Sequence, residues 1–373
     1  MAQQTPLISV IIPCYNYGRF LAEAVNSALC QQKDGVTVEI IVVDDGSTDD
    51  TATVAQGFGQ AIRYIYQEHQ GVSAARNVGI RAAKGDFLVY LDADDLLTAN
   101  TLSSQLDVFT LHPETDASAC LCIQVAEGQK GLYVWPLIRT HLDMHFCHSN
   151  LPLHTFMLRT SAARDIGFWD TDLKACEDQD YWLRCAAAGK CFRSNPDTAV
   201  IYRRHGQSAT SQRPHQLAHD AAIRFKISTL LENNPDFPRA GKFYGWLAHA
   251  AGTIGSACNL LQGSPGFAAK LVEESAQAAL KAASLAPSVT PDDSHLIVAE
   301  RYFAAQYLLF ARYLSTKLSC RTLEKAIASF ARRYPQFATL NGEVLDAKLK
   351  SMFQKLCCEQ EIVQKTVKGT YLN

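Results

Sequence analysis

The sequence lacks any long apolar run. No stretch of about 18 consecutive apolar residues, the minimum for a transmembrane helix, occurs among its 373 residues. Near residues 1–6 it also lacks a positively charged segment followed by an apolar one, which a secretory signal peptide requires. We therefore expect a soluble, unprocessed protein of the cytoplasm that has no transmembrane segment.

An excess of charge of either sign is also absent. The chain has 35 Lys and Arg residues against 37 Asp and Glu residues, so its formal net charge is -2. A chain this close to neutral creates no field that gathers nucleic acid, and any anionic ligand must be held by a local site. The hydrophobic fraction of 47% excludes a disordered chain, and the length suggests two domains.

No Cys-x-x-Cys pair occurs, although the chain has 12 cysteines. They are scattered through apolar segments, which is typical of small buried side chains in a reducing compartment. The group His141, His145, Cys147 and His148 is a minor zinc alternative, because it lacks a regular ligand framework.

The first half of the chain alternates strand and helix patterns. Continuous apolar runs at residues 7–12, 38–43 and 87–91 are typical of strands that are buried on both faces. Segments with helical spacing separate them, for example at residues 72–83. This order predicts an α/β fold, a Rossmann-like αβα sandwich around a mainly parallel sheet.

Beyond about residue 221 the strand patterns disappear and helical patterns dominate. We predict an α/β domain over residues 1–222 and an all-α domain over residues 223–373. Acceptor binding, partner docking and formation of a homo-oligomer are the alternatives for the role of the second domain. Peripheral contact with the inner face of a membrane is another, but no sustained basic amphipathic stretch favours it.

Polar clusters follow three of the predicted strands, at residues 13–18, 44–49 and 92–95. Ligands of open α/β sheets bind at the carboxyl ends of the strands. Three clusters in succession therefore predict one shared site at this edge of the sheet.

The last cluster places Asp92, Asp94 and Asp95 within four residues. Three carboxylates in a partly desolvated crevice repel one another unless a cation lies between them. Oxygen ligands suit Mg²⁺ or Mn²⁺, which also keep positions open for phosphate oxygens. The alternative is the N-terminus of a helix predicted over residues 96–111, where an acidic first turn complements the helix dipole.

The first two clusters bring Tyr15 close to Asp44 and Asp45. A carboxylate accepts a hydrogen bond from the imide N–H of a pyrimidine, and a tyrosine face stacks on its ring. The pattern therefore favours a site for a uracil-like base. A simple turn and helix cap is the alternative.

Two further segments carry candidate chemistry. Arg76 follows small residues at a helix start, where free N–H groups and a cation suit an anionic ligand, and an ion pair is the alternative. Glu177 and Asp178 precede another helix, and one of them is a candidate general base. The alternative is that these two acids only stabilise the start of the helix, where negative charge complements the helix dipole.

Taken in order, these segments resemble the inverting glycosyltransferase family 2, which has the GT-A nucleotide-sugar fold. The resemblance covers residues 7–210. It rests on SVIIPCYNYGRF, EIIVVDDGSTDDT, HQGVSAARNVGIRAAKGDFLVYLDADD, GFWDTDLKACEDQDYWLRCAAAG and YRRHGQSAT.

The resemblance implies a role for each matching residue. Contacts to the nucleoside fall on Pro13, Tyr15, Asn16, Asp44 and Asp45. Contacts to the diphosphate, the ribose and the metal fall on Arg76, Asp92, Asp94, Asp95 and His205, of which Asp94, Asp95 and His205 are the predicted metal ligands. The Glu-Asp pair of the family corresponds to Glu177 and Asp178, and Asp178 is the implied general base.

The resemblance also implies the reaction. We expect transfer of a single sugar from a nucleotide-sugar, for which a UDP-sugar is the first expectation, with Mn²⁺ or Mg²⁺ as the cofactor. The acceptor would be a glycan, a lipid-linked molecule or a protein, in the synthesis of cell-surface or secreted glycoconjugates. A Gln-x-x-Arg-Trp motif and a membrane span are missing, which argues against a processive polysaccharide synthase. Acceptor selection is expected from residues 126–153, including Tyr133 and Trp135, and from Trp169, unless these aromatics are core.

Two alternatives belong to other functional classes. One is an inactive module that binds nucleotide-sugars, although the presence of both Asp94 and Asp178 argues against it. The other is a nucleotidyltransferase of related fold, which would have a glycine-rich loop where residues 13–18 read PCYNYG.

Overall fold

The computed structural model describes residues 5–32, 36–126, 133–134, 152–173, 175–206, 213–235, 239–285 and 294–338. The described residues form two compact units, one up to residue 206 and one from residue 213 onward. The domain boundary predicted at residue 222 lies inside a helix that runs from Arg213 to Asn233.

The first part of the first unit is a regular alternation of strands and helices. Its elements are β1 (Leu7–Cys14), α1 (Gly18–Leu29), β2 (Thr37–Asp44), α2 (Thr51–Gln56), β3 (Arg63–Tyr66), α3 (Val72–Ala82) and β4 (Phe87–Tyr90). The strands lie in the order β3-β2-β1-β4, and all three pairings are parallel. Their carboxyl ends therefore meet at one edge of the sheet.

The second part extends the same sheet with mixed directions. Its elements are β5 (Leu96–Leu97), α4 (Thr101–Leu111), β6 (Ala117–Ala126), β7 (Tyr133–Val134), β8 (Phe156–Arg159), α5 (Thr160–Ile166), α6 (Glu177–Ala187) and β9 (Phe192–Arg204). Within the described residues the sheet order continues from β4 through β8, β6 and β9 to β5, with β7 on β6. The helix predicted over residues 96–111 is wrong at its start, because Leu96 and Leu97 pair with β9.

The strands of the first half are apolar on both faces because helices cover both faces. On one side Leu21 and Val25 of α1 pack in a core with Ile8 and Val10 of β1. On the other side Ala75 of α3 packs against β2. This arrangement confirms the predicted αβα sandwich and leaves the loops at the strand ends to carry the site.

The pairing of β8 with β4 positions one further segment. The two strands are antiparallel, with Val89 opposite Met157. The short 3₁₀ helix that directly precedes β8, Leu153–Thr155, therefore lies beside the residues that follow β4. This places residues 153–155 next to the acidic segment at residues 92–95.

The second unit is helical. Its elements are α7 (Arg213–Asn233), α8 (Arg239–Leu260), α9 (Pro265–Leu285), α10 (Ser294–Ser315), α11 (Arg321–Arg333) and α12 (Pro335–Ala338). Its core includes Phe243 of α8, Tyr307 of α10 and Phe330 of α11. Among the helices that the structure describes, none combines the length and apolarity needed to cross a membrane.

Candidate active site

The loops after β1 and β2 are tied together by Asn16. Its side-chain oxygen accepts a hydrogen bond from the backbone N–H of Thr48 at 2.8 Å, and its own backbone N–H donates to the hydroxyl of Ser47 at 2.9 Å. Asn16 adopts a positive φ of 56°, which asparagine tolerates better than most residues. Pro13 is buried at the end of β1. These two residues shape the edge of the sheet where the predicted nucleoside site lies.

Asp44 is buried and bonded within the protein. One carboxylate oxygen accepts from the backbone N–H of Ser47 at 2.8 Å, and the other accepts from the hydroxyl of Tyr64 at 2.6 Å. Burial, together with this bond to the carboxylate, raises the pKa of Tyr64. Asp44 therefore fixes the turn after β2.

Asp45 organises the loop that leads into α3. Its carboxylate accepts from the side-chain amide of Gln67 and from the backbone N–H groups of Gln70 and Gly71, at 2.6–2.9 Å. Nδ1 of His69 lies 2.9 Å from the same carboxylate. A nucleobase N–H that bonds Asp45 therefore has to replace one of these donors, and base contact by Asp45 stays a prediction.

Tyr15 supplies an exposed aromatic face beside Asp45. Its ring stacks on that of His69 with centroids 4.1 Å apart, and the residue is 42% exposed. An exposed stacked pair of this kind suits a planar heterocycle. The structure thus brings Tyr15 and Asp45 to the same end of the sheet, where His69 contacts both of them.

Arg76 is buried under two carboxylates. Its Nη1 lies 2.7 Å from Oε1 of Glu177 and its Nη2 lies 3.0 Å from Oδ1 of Asp92. Its guanidinium also lies over the ring of Trp169, 4.8 Å from the centroid. The ion-pair alternative therefore describes the geometry of Arg76, and its predicted contact to a diphosphate stays a prediction.

Asp178 follows Glu177 in the first turn of α6. Burial raises the pKa of Asp178 to about 7, the neighbouring Glu177 adds to the rise, and Arg76 opposes it. One carboxylate oxygen accepts from the backbone N–H of Gln179 at 2.8 Å. A carboxyl group with this pKa exchanges its proton near neutral pH, as a general base requires.

The acidic segment at residues 92–95 meets the end of β9. Nε2 of His205 lies 3.0 Å from Oδ2 of Asp94, so the structure brings these two predicted metal ligands together. The backbone N–H of Arg203 donates to Asp95 at 2.8 Å, and its side chain donates to the carbonyl of Asp94. Burial raises the pKa of Asp94 and Asp95, and the adjacent carboxylates contribute.

A second set of donors combines two residues of this segment with His154 from the turn before β8. Asp92, Asp95 and His154 each offer one ligand atom, and these atoms all lie within 4.8 Å of one another. Carboxylate oxygens with an imidazole nitrogen fit a divalent cation such as Mn²⁺ or Mg²⁺. Sequence reasoning missed His154, because it lies in the 3₁₀ turn that only the pairing of β8 with β4 brings here.

Comparison with known proteins identifies the family. The family model described as Glycosyl transferase family 2 matches residues 9–167. An uncharacterised glycosyltransferase of Rickettsia typhi is 31% identical over 233 residues, which cover 60% of this chain and 72% of the relative. The chain belongs to glycosyl transferase family 2. A similar protein of Rickettsia conorii is 30% identical, over 63% of this chain and 44% of the relative.

Solved structures agree with this family's fold. TarS of S. aureus, residues 1–349 in complex with UDP-GlcNAc, superposes with a TM-score of 0.58 at 19% identity and covers 88% of this chain and 91% of that one. A mannosyltransferase of Pyrobaculum calidifontis, in complex with GDP-Man and Mn²⁺, gives 0.53 at 18% identity, over 90% and 88%. The glycosyltransferase described here therefore has the GT-A fold.

Trp169, one of the aromatic residues expected to select the acceptor of this glycosyltransferase, belongs to the core. Trp169 is not open to a sugar, because it is 2% exposed and stacks on Tyr181 with ring centroids 4.1 Å apart. It is core, as the alternative interpretation held. Trp135 and the side chain of Tyr133 lie outside the described residues, as do the histidines of the zinc alternative.

Proposed function

We propose that this glycosyltransferase moves one sugar from a UDP-sugar to an acceptor hydroxyl, with inversion at the anomeric carbon and with a divalent cation. One observation carries the proposal: Arg76 bonds both Asp92 and Glu177. The acidic segment and the candidate base, Asp178 with a pKa of about 7, therefore border the same site.

Asp178 is the proposed general base. In its carboxylate form it accepts the proton of the acceptor hydroxyl while that oxygen attacks the anomeric carbon. The bond to the diphosphate breaks on the opposite face, so the configuration inverts. Because its pKa is about 7, about half of Asp178 is in the carboxylate form at neutral pH, and that form is basic enough to take the proton.

Asp94, Asp95 and His205 are the cation ligands expected from sequence, and Asp92 and His154 add donors in the structure. When bound, a divalent cation neutralises the charge of the diphosphate leaving group. These residues would hold the cation, while the backbone and side chain of Arg203 fix the segment from which Asp94 and Asp95 project.

Arg76 and Glu177 act as positioning residues in this proposal. Arg76 is buried and holds Asp92 and Glu177 by charge-assisted hydrogen bonds, which are stronger than bonds between neutral groups. Its positive charge also counters the negative charge of a diphosphate nearby. Glu177 in turn raises the pKa of Asp178 by lying next to it.

The nucleoside is proposed to lie between the loops after β1 and β2. Tyr15 offers its exposed ring to the base, and Asp45 lies beside it. Pro13, Asn16 and Asp44 shape the loops. The complex of TarS with UDP-GlcNAc supports a uridine nucleotide as the donor. The mannosyltransferase binds GDP-Man, so GDP-sugars are the donors to compare with UDP-sugars. The helical unit is proposed to bind the acceptor or a partner.

The test is release of nucleoside diphosphate from a panel of UDP- and GDP-sugars, measured with Mn²⁺, with Mg²⁺ and with EDTA. We expect release of UDP that needs the cation and is lost in Asp178→Asn. The matched control is Asp107→Asn, which changes an exposed acid on α4. If a donor binds but no nucleoside diphosphate is released from any member of the panel, the inactive binding module would be supported instead.

A further inference from the structure

His154 is an unusual buried histidine. The residue is 0% exposed, and among the described residues neither ring nitrogen has a hydrogen-bond partner. Oδ2 of Asp95, also 0% exposed, has no hydrogen-bond partner in the same part of the chain. Buried polar atoms are normally paired, so three such atoms in one place need an explanation.

The two side chains face each other. Nδ1 of His154 lies 3.1 Å from Oδ2 of Asp95, although the angle does not suit a hydrogen bond. Two adjacent ligands of an octahedral cation, each bound at about 2.1 Å, lie about 3.0 Å apart. The spacing of this pair is therefore that of two neighbouring ligands of one ion.

A third donor completes the group. An oxygen of Asp92 lies within 4.8 Å of the ligand atoms of both Asp95 and His154. The side chain of Asp92 is 35% exposed, so the group opens toward solvent through it. His154 and Asp95 are thus closed to solvent, while Asp92 is partly open to it.

We propose that His154, together with Asp95 and Asp92, binds the divalent cation of this glycosyltransferase. The proposal rests on the metal dependence proposed above and adds a ligand from the turn before β8. It differs from the set expected from sequence, in which the histidine ligand is His205, paired with Asp94.

A simple buried Asp–His pair is the competing explanation. In such a pair one ring N–H points at the carboxylate and the other nitrogen finds a second partner. Neither condition is met by His154 among the described residues. Because Nδ1 of His154 and Oδ2 of Asp95 are not aligned for a hydrogen bond with each other, a cation bound by both would satisfy them.

The test is electron spin echo spectroscopy of Mn²⁺ bound to protein that carries ¹⁵N-labelled histidine, recorded with Mn²⁺ alone and with Mn²⁺ plus UDP. We compare the wild type with His154→Gln and His205→Gln. The expected result is a ¹⁵N coupling that persists in His205→Gln and disappears in His154→Gln. Mn²⁺ affinity, measured by calorimetry, should fall at least about tenfold in His154→Gln.

Loss of the ¹⁵N coupling in His205→Gln would overturn the proposal, and so would its persistence in His154→Gln. If His154→Gln does not fold, His205→Gln decides alone, because the coupling either survives there or does not. Bound Mn²⁺ without any histidine coupling also overturns it. None of these readouts needs turnover, so failure of the proposed transfer reaction is a separate result.

Discussion

Nη1 of Arg76 lies 2.7 Å from Oε1 of Glu177, although the two residues are 101 positions apart in the chain. The same guanidinium bonds Asp92, so one buried cation joins the end of β4 to the start of α6. A bond between a buried cation and two acids has a defined geometry. It therefore fixes the distance from the acidic segment to Asp178.

The first prediction concerns Asp178. Replacing it with asparagine removes the proposed base but keeps the shape of the side chain. Because general-base catalysis is typically worth about 10²- to 10⁴-fold in rate, we expect kcat to fall by that factor while the Kd for UDP is unchanged. Steady-state kinetics and calorimetry measure the two effects. A variant that turns over like Asp107→Asn would remove Asp178 from the mechanism.

The second prediction concerns the dependence of the rate on pH. Burial raises the pKa of Asp178 to about 7, and only its carboxylate form accepts a proton. We therefore expect kcat/KM to decrease as pH falls through 7, tenfold for each pH unit below the inflection. The profile is measured from pH 5 to 9 with saturating Mn²⁺. A flat profile between pH 6 and 8 would contradict the assignment.

The third prediction concerns stability. The pKa of Asp178 rises from its ordinary 3.8 to about 7 on folding, so the folded state holds the proton more tightly than the unfolded state. The stabilising contribution of this group is present at low pH and is lost as pH rises from about 4 to 7. Asp178→Asn removes the titration. We expect its Tm, relative to wild type, to be higher at pH 8 than at pH 5. An equal difference at both pH values would contradict this.

The sequence was sufficient to predict the sheet and the edge that carries the site. The apolar runs became β1, β2 and β4, because strands covered by helices on both faces need apolar residues at every position. The polar clusters after them lie together because the three strands are parallel. Local pattern decides these features.

Other features depend on pairings between distant segments. Leu96 and Leu97 fit a helical pattern, but their pairing with β9 makes them a strand. His154 joins the acidic segment only because β8 runs antiparallel to β4. From the sequence, the role of Arg76 could be either a ligand contact or an ion pair. Its burial between two carboxylates is a tertiary property that the local pattern does not encode.

The fourth prediction concerns Arg76. Changing it to glutamine leaves Asp92 and Glu177 without their shared cation. Removing one partner of a buried ion pair costs about 3–5 kcal/mol, and we expect the low end because both carboxylates are partly exposed. The free energy of unfolding from urea titration measures the loss. The control is Arg81→Gln, an exposed arginine on the same helix, and an equal loss in both variants would contradict a special role for Arg76.

The fifth prediction concerns the packing of α3 on β1, away from the chemistry. A methyl group on Gly79 would lie 2.3 Å from Cγ2 of Ile11, which is 0% exposed in the middle of the sheet. Such overpacking typically costs about 1–3 kcal/mol, so Gly79→Ala should lower the free energy of unfolding. Gly266→Ala on α9 is the control, because a methyl group there meets nothing within 4 Å and alanine favours helix. A Gly79→Ala variant as stable as wild type would mean that α3 moves freely on the sheet, and the rigid placement of Arg76 by that helix would no longer follow.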